Sequence, residues 1–334
     1  IAILGFVFAD YLGRVLRYPE PIIRGVAAGA IALLTLVNVA GVRWGKYVQN
    51  LFTVLKVFAL LAIVLAGCWA VATHRTVSPD WGLPALHIGT AQAVGMAMVF
   101  MLWTYGGWTE AAYVAEEVRE PTRNVPRAIV GGVLLTTVLY VLVNWSYLLS
   151  VPVEELARTP SVASSVMQQV LGGPGVTFIA TMIACSAFGA LPGYILTGGR
   201  ILYAVGKDHA RFAKLGTVDP LRHTPALALG LNAAIAIVLV WTKTLDKIMT
   251  YSTLIIQIFF TMAVFALFLL RRADPARARP YRAWGYPITP ALYVLVMIAF
   301  MLNVCATDPQ ESAFGFVFLA AGLPLYWLSR AIET

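Results

Sequence analysis

Apolar runs of about membrane length recur along the whole chain, separated by short stretches that gather arginine, proline and glycine. Their limits predict helices at about 22–42, 47–72, 91–115, 128–150, 173–201, 225–242, 248–270, 286–306 and 311–329. The opening run "IAILGFVFADYLG" adds a partial helix, making ten. Its thirteen residues make about 20 Å of helix against a hydrocarbon core of about 30 Å. It therefore reads as the tail of a span that starts before Ile1, in an N-terminally truncated chain. Two other segments carry a mixed pattern. Residues 152–172 are amphipathic and predict a short helix on the outer side. Residues 202–224 are polar and basic, and predict a helix plus turn on the inner side.

Composition narrows the class. The chain of 334 residues is 60% hydrophobic and 12% charged, with a mean hydropathy of +0.78. Soluble domains carry roughly 25% charged residues, so the apolar runs face lipid and the chain is an all-α integral membrane protein. Lys and Arg sort unevenly between alternate loops: sixteen on one side, seven on the other, with Lys56 inside a span. The positive-inside rule makes the richer side cytoplasmic, together with the C-terminus, in a multi-pass plasma (inner) membrane protein. The net charge of +8 thus lies in loops beside anionic headgroups, and no nucleic-acid pattern accompanies it. Cys68, Cys185 and Cys305 lie in or beside apolar runs without paired spacing, as small buried residues do.

Two features stand out inside the spans. Lys56 lies nine residues past Tyr47, or about 14 Å along its helix, where a charge costs several kcal/mol unless it meets a partner or a cavity. It is either an internal cation that ties helices together at an ion site, or a snorkelling side chain near the membrane edge. The other feature is "FMLWTYGGWTEAAYVAEEVREPTRNVP", residues 100–126, where Gly106 and Gly107 interrupt a greasy helix among Trp103, Tyr105 and Trp108. Each glycine lowers helix propensity by about 1 kcal/mol. Unwound backbone at membrane depth must be buried in protein or line a polar cavity, as in transporters that bind substrate near the midplane. The competing reading is close helix packing at small residues. Glu110, three residues on, faces either this site or an inner vestibule, and Asp10 lies in the incomplete first helix.

The composite of Gly106, Gly107 and Trp108, then Glu116 and Glu117, then Pro121, Arg123, Asn124 and Pro126 resembles the sixth helix and following loop of amino-acid permeases. These are the permeases of the amino acid–polyamine–organocation superfamily. "VNVAGVRWGKYVQNLFTVLKVFAL" (37–60), "CSAFGALPGYILTGGRILYAVGKDHARFAKLG" (185–216) and "RRADPARARPYRAWGYPITP" (271–290) extend the resemblance over nearly the whole chain. The nearest subgroup is the L-type-like exchangers and their bacterial relatives. The resemblance implies a leucine-transporter-like fold of inverted repeats, with residues 1–334 a single transmembrane permease domain matching family helices three to twelve. Helices one and two, with the first helix's share of the substrate site, then lie outside this chain.

Carried over by position, the resemblance makes Trp103 the aromatic gate over the substrate. It makes Thr104, Tyr105, Gly106 and Gly107 the unwound stretch that faces substrate, and Thr109 a determinant of side-chain preference. Lys56 takes the place of a sodium ion, bridging toward Ser186 and Gly189. Glu116, Glu117, Arg123 and Arg127 form either a cytoplasmic gate of ion pairs or plain solvated loop charges that orient the protein. Trp103 stands where the animal L-type subgroup has Phe, and Gln257 about where many relatives have an aromatic. "RYPEPIIRG" lacks the cysteine that links animal exchangers to a heavy chain, so no disulfide-linked partner is implied.

These readings converge on a secondary active permease or antiporter for small or mid-sized neutral amino acids, working by alternating access, without cofactor or metal. A non-transporting remnant or assembly partner is the alternative. A membrane-embedded enzyme fits less well: His74, His87, His209 and His223 fall in predicted loops without ligand spacing, and no nucleophile–base pair lies at depth.

Overall fold

A computed structural model describes residues 1–41, 45–73, 88–109, 115, 118–159, 161–242, 245–279 and 281–330. Every regular element among them is helical: α1 (Ala2–Leu16), a 3-10 turn (Glu20–Ile22), α2 (Ile23–Val39), α3 (Gly45–Ala72), α4 (Ile88–Thr104) and α5 (Pro121–Ser150). Then come α6 (Val153–Leu156), α7 (Val162–Asp208), a 3-10 segment (Ala210–Gly216), α8 (Ala226–Thr242) and α9 (Leu245–Ala273). The chain closes with α10 (Ile288–Thr307), α11 (Pro309–Ala320) and α12 (Gly322–Arg330). Six helices among the described residues are long and apolar enough to cross a membrane: 20–39, 50–72, 121–150, 162–208, 245–273 and 288–307. Two shorter apolar helices, 89–104 and 226–242, match further expected spans.

Local breaks set the limits of the elements in two places. Within α7, Gly172 at φ 65°, ψ −150° separates the amphipathic 162–171 from the long helix after it, at the predicted boundary between 152–172 and 173–201. Pro174 follows within the first turn of that second helix, where its missing N–H costs nothing. The predicted last span, 311–329, is divided at Ala321 into α11 and α12. Asp308 caps α11 through the Glu311 amide, with Pro309 in the first turn.

The chain divides into two compact units, each described by itself. The first holds residues 1–82 and 135–243. In it α7 packs along α1, α3 and α8, and α2 lies against α1 and α8. Small residues permit these approaches. The Ser146 side chain occupies the space a Cβ on Gly67 would need, and its Oγ donates to the Ile63 carbonyl at 2.7 Å. Ala59, Ile63, Ala66, Val143, Val166 and Ile179 form a buried core around that contact. Asp10 pairs with Arg14 at 2.9 Å, so the charge in the first helix is satisfied locally.

The polar segment after α7 folds back on itself. Gly206 and Gly216 meet backbone to backbone, leaving no room for a Cβ on either. Asp219 Oδ1 accepts from the Leu221 and Arg222 amides at 2.9 and 3.0 Å. Thr224 Oγ1 donates to the Val39 carbonyl at 2.8 Å, tying the segment to the end of α2.

The second unit holds residues 83–134 and 244–332. There α9 packs against α4, α10 and α11, and α4 packs against α10. Val99 of α4 is buried against Phe300 and Val304 of α10. Asn303 fills the space beside Gly95 and donates to the Ala91 carbonyl at 3.3 Å. Glu311 of α11 is buried and pairs with Lys247 of α9 at 3.0 Å.

Candidate functional site

In the second unit, α4 stops at Thr104, inside a segment that is otherwise apolar enough to continue as helix. Residues 105–109 turn instead. The Tyr105 amide still reaches the Met101 carbonyl at 3.0 Å, but the Gly106 amide shortens its step to the Trp103 carbonyl, also 3.0 Å away. Gly107 then takes φ 90°, a conformation that a side chain makes costly. A Cβ on Gly106 would come within 2.9 Å of the Trp103 carbonyl oxygen. Both glycines therefore serve the backbone reversal itself, which close helix packing alone does not explain. Thr104 Oγ1 donates back to the Phe100 carbonyl at 2.6 Å, holding the last helical turn closed.

Aromatic side chains surround the reversal. Trp108, 45% exposed, packs on Phe260 of α9 with ring centroids 5.2 Å apart. Trp103, Tyr105 and Thr109 are half-buried, whereas Thr104, Gly106 and Gly107 are exposed. One turn before Phe260 on α9, Gln257 is buried and accepts from the Tyr293 hydroxyl of α10 at 3.2 Å. The aromatic contact from α9 to the reversal thus comes from Phe260, a residue the sequence did not single out. Its signal is faint: one Phe among many in an apolar run.

In the first unit, Lys56 lies on the stripe of α3 that runs Phe52, Lys56, Ala59, Ile63, Ala66 and Ala70 at helical spacing. The last four are buried, whereas Lys56 itself is exposed. One turn away, the Phe52 ring occupies the space beside Gly189 of α7, where any side chain would collide with it. Gly189 is buried and Ser186 half-buried on the same stretch of α7. An apolar cavity of about 230 Å³ lies between α1, α3 and α7, lined by Phe8, Leu12, Phe52, Cys185 and Phe188 among others. Lys56, Ser186 and Gly189 therefore belong to one helix pair, joined by the Phe52–Gly189 contact.

Of the expected gate, Arg123 and Arg127 are exposed in the first two turns of α5. Glu120 at φ 49° turns the chain into that helix, and its carbonyl accepts from the Arg123 and Asn124 amides at 3.0 Å each. The Asn124 side chain donates to the Arg119 carbonyl at 2.6 Å. Glu110, Glu116 and Glu117, like His74 and His87, lie outside the described residues. Among the described residues no three His, Cys, Asp or Glu side chains gather as a metal site would require.

Comparison with known proteins agrees with this architecture. The profile of a family described as amino acid permease matches residues 1–327. A serine/threonine exchanger, SteT, of Bacillus subtilis strain 168 is 27% identical over 330 residues, covering 98% of this chain and 74% of the relative. The b(0,+)-type amino acid transporter 1 of Rattus norvegicus is 31% identical over 322 residues, covering 96% of this chain and 65% of the relative. The large neutral amino acids transporter small subunit 2 of Mus musculus is 27% identical over 343 residues, covering 98% and 62%. The chain thus spans between about three fifths and three quarters of the length of these relatives, which are transporters by name. It is a multi-pass, all-α membrane protein, and it belongs to the amino acid permease family.

Proposed function

We propose that this chain forms the greater part of a secondary active amino-acid permease, an antiporter rather than an enzyme. It moves small or mid-sized neutral amino acids across the plasma membrane by alternating access, with its C-terminus in the cytoplasm. The observation that carries this reading is the end of α4 at Thr104 and the reversal through Gly107 at φ 90°, within an apolar segment and among Trp103, Tyr105 and Trp108. A helix interrupted at membrane depth presents backbone dipoles to a polar ligand, which is how such transporters hold an amino acid. The relatives named for serine/threonine and for large neutral amino acids support the neutral class.

In this reading Thr104, Tyr105, Gly106 and Gly107 supply the substrate-facing backbone, Trp103 closes over the side chain, and Thr109 tunes preference. Lys56 stands as a fixed cation where sodium would otherwise bind, beside Ser186 and Gly189 of α7, which favours exchange or proton-linked uptake. Arg123 and Arg127, with Glu116 and Glu117, form the cytoplasmic gate. Residues 1–334 act as one permease domain in a leucine-transporter-like fold, and no disulfide-linked heavy chain is expected.

The test is uptake of a radiolabelled amino-acid panel by the full-length protein in liposomes, with and without internal substrate and a pH gradient. Neutral amino acids are expected to accumulate in preloaded vesicles, and Lys56→Ala to abolish that flux while leaving a folded protein. A panel without any transported amino acid sinks the proposal, and wild-type flux in Lys56→Ala removes Lys56 from it.

A further inference from the structure

The end of α9 and the loop to α10 carry Arg271, Arg272, Arg277, Arg279 and Arg282 around one cavity of about 720 Å³. No carboxylate is among its lining residues, and none of the five forms an ion pair among the described residues. Two of the arginines are fixed by the protein. Arg279 folds onto its own loop, donating to the carbonyls of Asp274, Pro275 and Arg277 at 2.6 to 3.3 Å. Arg271 stacks on the Tyr286 ring at 3.8 Å, with its Nε–H buried and without a hydrogen-bond partner among the described residues. The other three, Arg272, Arg277 and Arg282, are exposed.

Such an arrangement is unfavourable by itself, because like charges gathered around one cavity repel and a buried N–H without a partner costs free energy. A multivalent oxyanion removes both penalties, and guanidinium forks match phosphate oxygens. The surroundings indicate where that phosphate comes from. Trp284 is 78% exposed, Ile288 74% and Tyr281 47%, all on the same loop and the helix it leads into. Exposed aromatics beside an apolar helix start are the pattern of a membrane–water interface.

We propose that the cavity between the end of α9 and the start of α10 binds the phosphate headgroup of an anionic phospholipid. Arg271 and Arg279 form its fixed wall, and Arg272, Arg277 and Arg282 close on the headgroup. Trp284 and Ile288 lie alongside the glycerol and the first acyl carbons. The site is separate from the substrate-facing reversal at the end of α4, and the proposal does not depend on which solute is carried.

The test uses full-length protein in nanodiscs of equal phosphatidylglycerol and phosphatidylcholine, with lipids retained after release counted by native mass spectrometry. Wild type is expected to retain phosphatidylglycerol selectively. Arg272→Ala/Arg277→Ala/Arg282→Ala is expected to weaken retention on the order of a hundredfold, from the worth of each basic residue at an anionic surface. Arg211→Ala/Lys214→Ala, which removes two exposed charges elsewhere, should leave retention unchanged. If the triple variant is not recovered folded, Arg277→Glu alone should lower retention in the same direction. Wild-type retention in the Arg272/277/282 variants, or equal loss in the Arg211/Lys214 control, overturns the site. Inorganic phosphate or glycerol 3-phosphate binding at micromolar concentration and displacing the lipid overturns the lipid as its source.

Discussion

Asp219 shows how much one side chain can organise at the protein surface. Its carboxylate accepts from the Arg222 and Leu221 amides, and those bonds hold it below the usual carboxylate range. The folded pKa is depressed, so the ionised form's contribution is present above the unfolded value of about 4. It is lost as pH falls through the folded value. Asp219→Asn should therefore lower amide-exchange protection across residues 219–224 at pH 7. The gap between variant and wild type should close as the pH drops below about 4. A gap that persists at low pH would show that the carboxylate charge is not what orders the turn. This contact was not legible beforehand: "VDPLRHT" marks a turn, but which amides the carboxylate meets follows only from the fold. Lys56 was half legible. Helical spacing places it with Ala59 and Ile63, whereas its exposure on that stripe depends on what α7 brings opposite.

At the scale of elements, hydropathy located most helices because length and apolarity decide whether a segment can enter a membrane. It set a boundary between 172 and 173, where Gly172 leaves the helical conformation, and it missed the division at Ala321, where apolar character continues on both sides. The reversal after Thr104 was legible from the glycine pair among aromatics, but its packing partner Phe260 was not, being a contact across about 150 residues. Helix pairing in the second unit also depends on Lys247 and Glu311, joining α9 to α11. Glu311 is buried and Lys247 half exposed, so removing the cation takes the ion-pair partner from a buried carboxylate. Lys247→Met should cost about 1–3 kcal/mol in thermal or denaturant unfolding, and Glu311→Gln should erase most of that penalty in the double variant. Strictly additive effects would mean the pair contributes nothing as a pair.

For the whole molecule, the sixteen-to-seven asymmetry in Lys and Arg gives one testable orientation. Leu221 is 91% exposed in the basic segment and Arg158 is exposed in the segment predicted for the outer side. In a background without Cys68, Cys185 and Cys305, Leu221→Cys should react with an impermeant maleimide only in inside-out vesicles. Arg158→Cys should react only in right-side-out ones. The reverse labelling would invert the topology.

The fold-back after α7 bears on how such a molecule can move. Gly206 and Gly216 lie in backbone contact, and Thr224 holds the end of α2. That makes the segment a strut rather than a tether. α2 and α7 are braced at this end, so a motion that opens it must carry both helices as one lever. Lengthening either glycine by a methyl group would force the two backbones apart and loosen the brace.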